Sequence, residues 1–174
     1  GYSHGGTIVI CHAAEDKRVK AVLTWASSSG DPLERYLETE EGRSRLEKWK
    51  KGETVTFSHV FTGIWQLKAK FYEDLVENHD KFNNLNRVKE ISPSPVCFIH
   101  GENDPIVPER SSYKLYLSAK EPKELMMIPG KSDIDMHHWR DLEGTAKLYK
   151  ETVGWFKKVF FTPEKVKGTS TKWQ

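Results

Sequence analysis

Little in this sequence is extreme, and each thing it lacks narrows its class. No apolar run approaches the ~20 residues needed to cross a bilayer, and no signal-like segment opens the chain, so no membrane association is expected. Only two cysteines are present, Cys11 and Cys97, each inside an apolar stretch. Buried thiols rather than a disulfide are the expected state, and with them a reducing, cytoplasmic compartment. Charge of one sign is not in excess: 27 Lys and Arg against 25 Asp and Glu leave +2. A dedicated nucleic-acid binder would carry a basic surplus on one face, so no nucleic-acid partner is expected. No internal repeat is visible. The His137-His138 pair with Asp133 and Asp135 lies in a short loop without helical ligand spacing, so no metal is expected. What remains is a soluble-type composition, 37% hydrophobic and 30% charged in 174 residues, enough for one domain with a core.

Organisation along the chain is clearer than its composition. Residues 3–14 suit a helix, with Ile8, Cys11 and Ala14 at three-residue spacing. After the charged break at residues 15–18, Val19–Ala26 reads as a strand apolar enough for a parallel sheet. From about residue 32 to 92 charge is dense and helical signals dominate. Leu67, Phe71 and Leu75 predict an amphipathic helix over residues 65–76, and the whole block reads as a helical insertion. Val96–Ile99 and Glu124–Ile128 predict two further strands, Ser111–Ala119 and Leu142–Phe161 two helices, and residues 162–174 a polar tail. The last helix should turn Leu148, Val153, Phe156 and Phe160 inward. Strands alternating with helices imply an α/β fold with a parallel sheet.

One motif stands at the start. Gly1-Tyr2-Ser3-His4-Gly5 matches G-x-S-x-G, the nucleophile elbow, in which a serine sits on a sharp strand-to-helix turn. Glycine is expected on both sides because that turn is strained and crowded. The Gly5-Gly6 pair would let the following helix lie close to the sheet. Chance supplies such a match in roughly one chain in twenty of this length, so the rest of the chain must support it. A strand must feed an elbow and none precedes Gly1, so the sequence reads either as a fragment or as an accidental match. As a fragment it is expected to expose an apolar edge on the Val19–Ala26 strand and to associate.

Support comes from order. A serine hydrolase of the α/β type presents serine, then an acid after a later strand, then histidine. His100-Gly101-Glu102-Asn103-Asp104-Pro105-Ile106-Val107-Pro108 follows the second strand and supplies Asp104. With Gly1–Gly6, the Asp16–Val22 approach to the next strand, Ile128-Pro129-Gly130 and Trp155-Phe156, the sequence resembles the carboxy-terminal part of an α/β-hydrolase of the dienelactone-hydrolase-like or prolyl-oligopeptidase-like esterases, over residues 1–161. The resemblance implies a partial α/β-hydrolase fold with a helical cap insertion. It also implies Ser3 as nucleophile, Asp104 as triad acid, the His4 amide as an oxyanion donor, a small acyl or ester substrate, and no cofactor. In the family's Gly-x-x-His slot for the base this chain has Asp133, a weak base at neutral pH. His137 or His138 would then serve as base. The alternative is a non-catalytic protein of the same fold, with Asp133 marking the loss. Trp25, Phe61 and Trp65 are candidates for the substrate pocket, although aromatics such as Phe57, Phe61 and Trp65 more often form an insertion's own core. His100, ending a strand, reads as structural.

Overall fold

A computed structural model describes residues 1–59, 63–104, 106–129 and 142–161. Three strands, β1 (Val22–Trp25), β4 (Val96–Gly101) and β5 (Lys123–Ile128), form a parallel sheet in the order β1-β4-β5. Pro95 and Pro122 stand before β4 and β5, where a residue without an N–H costs no ladder bond. All six residues of β4 are buried, as its continuous apolar run requires of a central parallel strand.

Alternation along the strands divides the core in two. Val22, Val96 and Phe98 face one side and pack with Ile10 and Ala13 of helix α1 (His4–Glu15) and with Leu115 of α7 (Arg110–Ser118). Leu23, Cys97, Ile99 and Ile128 face the other and pack with Leu148 and Trp155 of α8 (Leu142–Phe161). Helices on both faces of a parallel sheet make the expected α/β layering. The expected helix α1 is present, but its buried face is Gly6, Ile10, Ala13 and Ala14, while Ile8 is 57% exposed. The period was legible and the phase was not. In α8, likewise, Trp155 is buried and Val153 is half exposed.

Between β1 and β4 the chain makes the excursion expected from residues 32–92, with one correction: it is not all helical. Helices α2 (Glu34–Leu37) and α3 (Glu40–Lys50) lead into an antiparallel hairpin, β2 (Val55–His59) and β3 (Gly63–Leu67), which pairs Phe57 with Trp65. Helix α4 (Ala69–Glu77) therefore begins four residues later than the helical spacing predicts. Short α5 (His79–Phe82) and α6 (Asn84–Arg87) return the chain to the sheet. The excursion has its own core of Tyr36, Leu46, Trp49, Val55 and Leu75. Trp49 stands at its centre, donating its indole N–H to the Leu67 carbonyl at 3.1 Å and touching Tyr36, Phe57, Phe71 and Tyr72.

Candidate active site

The first three residues act as the end of a strand. Gly1 N donates to the Leu23 carbonyl at 2.7 Å, Trp25 N to Gly1 O at 2.8 Å, and Ser3 N to Trp25 O at 2.8 Å, which pairs Tyr2 in parallel with Trp25. Residues 1–3 thus lie alongside the end of β1 ahead of the turn. At Ser3 the chain turns into α1 with φ 50° and ψ −123°. A non-glycine residue in that region costs about 1–3 kcal/mol and persists only where its surroundings enforce it. Here the ladder to β1 holds one side, and the Gly6 N to Ser3 O bond at 2.9 Å holds the other. Ser3 occupies the N-cap position, yet its side chain makes no capping hydrogen bond, the usual task of a serine there. The His4 amide is the first of the helix, where backbone N–H groups lack intrahelical partners and attract negative charge.

The glycines divide their work unevenly. A Cβ on Gly1 would meet the Gly5 carbonyl oxygen at 2.4 Å, and one on Gly6 would meet Ser27 Cβ at 2.6 Å, whereas one on Gly5 would meet nothing within 4 Å. Crowding therefore explains Gly1 and Gly6, and the pattern's second glycine, Gly5, is not crowded.

Asp104 lies just beyond β4, on the edge of the sheet where Ser3 follows its strand and where β5 ends. It is buried, and its Oδ1 accepts the amides of Ile106 at 2.8 Å and Val107 at 2.9 Å, which fixes the carboxylate. His100, one turn of loop away, has Nδ1 2.7 Å from Ser112 Oγ and Nε2 2.8 Å from the Val107 carbonyl. That carbonyl can only accept, so Nε2 carries a hydrogen, and both ring nitrogens are engaged by neighbouring protein groups. Its Nε2 is 3.7 Å from Asp104 Oδ2.

Tyr2, which the motif reading did not single out, is influenced by Asp104. Burial, and then the charge of Asp104, push its hydroxyl up to about 12. The phenol thus lies within electrostatic reach of Asp104. Its place as the first x of G-x-S-x-G was the available signal, since a residue there ends the strand beside the serine. The other sequence candidates fall elsewhere. Trp25 donates its indole N–H to Thr152 Oγ1 at 2.9 Å and meets Tyr149 edge-on, so its ring packs on α8. Trp65 stacks on Phe57 at 4.8 Å in the hairpin and is 43% exposed. Phe61, Asp133, His137 and His138 lie outside the described residues. Among the described residues no cluster of His, Cys, Asp and Glu could hold a metal ion, and no helix is long and apolar enough to cross a membrane.

No protein-family model matches the chain. By sequence it is similar to the uncharacterised protein PA2218 of Pseudomonas aeruginosa, 30% identical over 76% of this chain and 45% of that one. It is equally similar to the polyketide transferase GrgF of Penicillium, 30% identical over 78% of this chain and 54% of that one. The chain thus spans about half the length of these curated relatives. Among solved structures, the esterase domain of a Rhodothermus marinus protein superposes with a TM-score of 0.62 at 20% identity, covering 91% of this chain and 59% of that one. The α/β-hydrolase GrgF superposes at 0.61 over 91% of this chain and 62% of that one. The chain thus has the fold of the α/β-hydrolases.

Proposed function

We propose that this chain carries the nucleophile and the acid of a serine hydrolase acting on an ester or related acyl bond. The observation that carries the reading is Ser3. It is a non-glycine residue at positive φ, between a strand end and a twelve-residue helix, and its side chain does not cap that helix. The names of similar proteins, an esterase domain and a polyketide transferase, support acyl chemistry.

In this reading Ser3 Oγ attacks the acyl carbonyl while its proton passes to the imidazole of His137 or His138. The oxyanion forms against the N-terminus of α1, where the His4 amide donates to it. Collapse of the tetrahedral species expels the alkoxide, which takes the proton from the imidazolium. Water, activated by the same histidine, then releases the acid and restores Ser3. Asp104, with Oδ1 already engaged by two backbone amides, orients the imidazole. The excursion over residues 32–92 acts as a cap, with Trp65 of its hairpin, and Phe61, as candidates to meet the acyl group. Trp25 is held by Thr152 and Tyr149 and contributes through packing on α8.

Hydrolysis of short p-nitrophenyl esters by the full-length protein tests this. Turnover is expected, with a fall of at least ~10³-fold in Ser3→Ala and in one of His137→Ala and His138→Ala. A silent protein that gains turnover in Asp133→His would place the lesion at the base. Silence in both would sink the reading.

A further inference from the structure

The excursion leaves the sheet at Ser28–Asp31 and returns through α5 and α6, and its two ends are tied together by side chains far apart in sequence. Asn84, only 1% exposed, is the centre of the tie. Its Oδ1 accepts the Gly30 amide at 2.8 Å, and its Nδ2 donates to the Ser28 carbonyl at 2.6 Å. A carboxamide satisfies both backbone groups at once, as a neighbouring strand would, and the donor and acceptor it faces allow only one orientation of its amide. Gly30 sits at φ 111°, a left-handed conformation that suits glycine and presents its N–H to Asn84. Beside this, His79 Nε2 lies 2.5 Å from Asp31 Oδ2, while Asp31 Oδ1 accepts the Leu33 amide at 2.7 Å. One residue of the departing arm is thereby paired to one of the returning arm.

The tie also reaches the elbow helix. Thr7 Oγ1, one turn along α1 from Ser3, is 3.2 Å from Ser28 Oγ and 3.5 Å from Asn84 Nδ2. The same loop begins with Ala26 at φ 46° and with Ser27, the residue packed against Gly6. A shift of the loop would be felt directly beneath the elbow.

We propose that Asn84, with the Asp31–His79 pair, forms a clasp that fixes the two ends of the 32–92 excursion to each other and to the elbow helix, which makes Asn84 a positioning residue for the cap over Ser3. The positioning role rests on the reading of Ser3 as nucleophile; the clasp itself does not.

Hydrogen exchange of the full-length protein tests the clasp without reference to activity. Asn84→Asp keeps the acceptor for Gly30 but turns a second oxygen toward the Ser28 carbonyl. It should speed exchange of amides in α3, β2 and α4 at least tenfold, with β4 and β5 amides unchanged. Asp31→Asn, a milder lesion on the half-buried partner, should speed the same amides two- to threefold. This second variant decides the matter if Asn84→Asp does not fold. Unchanged exchange in the excursion, or an equal rise across β4 and β5, would overturn the clasp. In the esterase assay, Asn84→Asp should raise KM for long-chain esters at least fivefold with kcat within about twofold. A fall in kcat at constant KM would overturn the positioning role. A wild-type protein without esterase turnover would remove the nucleophile reading, and the exchange data would still decide the clasp.

Discussion

Gly5 and Gly6 invite a substitution whose outcome the motif and the structure foretell differently. In the pattern G-x-S-x-G the essential second glycine is Gly5, yet the structure leaves open space where its Cβ would go. At Gly6 a Cβ would stand 2.6 Å from Ser27 Cβ, 2.7 Å from Ser27 Oγ and 3.4 Å from Thr24 Cβ. Optimal carbon contacts lie at about 3.5–4.0 Å, so the overlap with Ser27 is roughly 1 Å. Ser27 cannot withdraw easily, since it is fully buried and its loop is tied to Asn84. Overpacking of this kind costs about 1–3 kcal/mol, against a gain of up to about 1 kcal/mol when alanine replaces glycine in a helix. Gly6→Ala should therefore lose about 1–2 kcal/mol, a fall in Tm of roughly 2–8 °C for a chain this long. Gly5→Ala pays no steric cost and should melt at or slightly above the wild-type temperature. Thermal denaturation followed by circular dichroism reads both. Equal destabilisation by the two variants, or a Gly6→Ala protein as stable as wild type, would refute the packing argument.

Two further outcomes follow from the charges. Asp104→Asn should lower the Tyr2 pKa from about 12 while leaving it above the ordinary tyrosine value, because burial is the larger cause and remains. Ultraviolet titration against a Tyr2→Phe background isolates that tyrosine, and an unmoved pKa would remove Tyr2 from the acid's surroundings. The Asp31–His79 pair should make stability depend on pH. The hydrogen bond that its ring donates to Asp31, and the smaller pull of Asp80, hold His79 above its ordinary value despite burial. Burial pushes Asp31 up, but the Leu33 amide and His79 outweigh it and bring it below the usual carboxylate range. The histidine's contribution is complete below about pH 6.5 and lost as pH rises through its raised value; the aspartate's is complete above about pH 4 and lost as pH falls through its depressed one. Both side chains are about one third exposed, so the pair is worth about 0.2–1 kcal/mol, greatest between those limits. Urea melts across pH should lose that increment in Asp31→Asn, and identical profiles would contradict it.

The parts of this fold legible in sequence are those set by short-range pattern. Val19–Ala26, Val96–Ile99 and Glu124–Ile128 needed only to be recognised as strands, which lie at residues 22–25, 96–101 and 123–128, and Asp104 followed from its loop after one of them. The hairpin was missed because Leu67, Phe71 and Leu75 share helical spacing although Leu67 still belongs to a strand. The phase of α1 was misread because which face is buried depends on the sheet beneath it. Gly6 settles against Thr24 and Ser27, residues about twenty positions away. Asn84 left no local trace, since its partners stand 54, 56 and 77 positions distant.

If residues 1–6 form an elbow whose serine is a nucleophile, a fluorophosphonate probe reads it most directly. After labelling of the full-length protein, peptide mass mapping should place a single phosphonyl adduct on Ser3, and Ser3→Ala should carry none. An unlabelled wild-type protein, or an adduct retained in Ser3→Ala, would contradict the account.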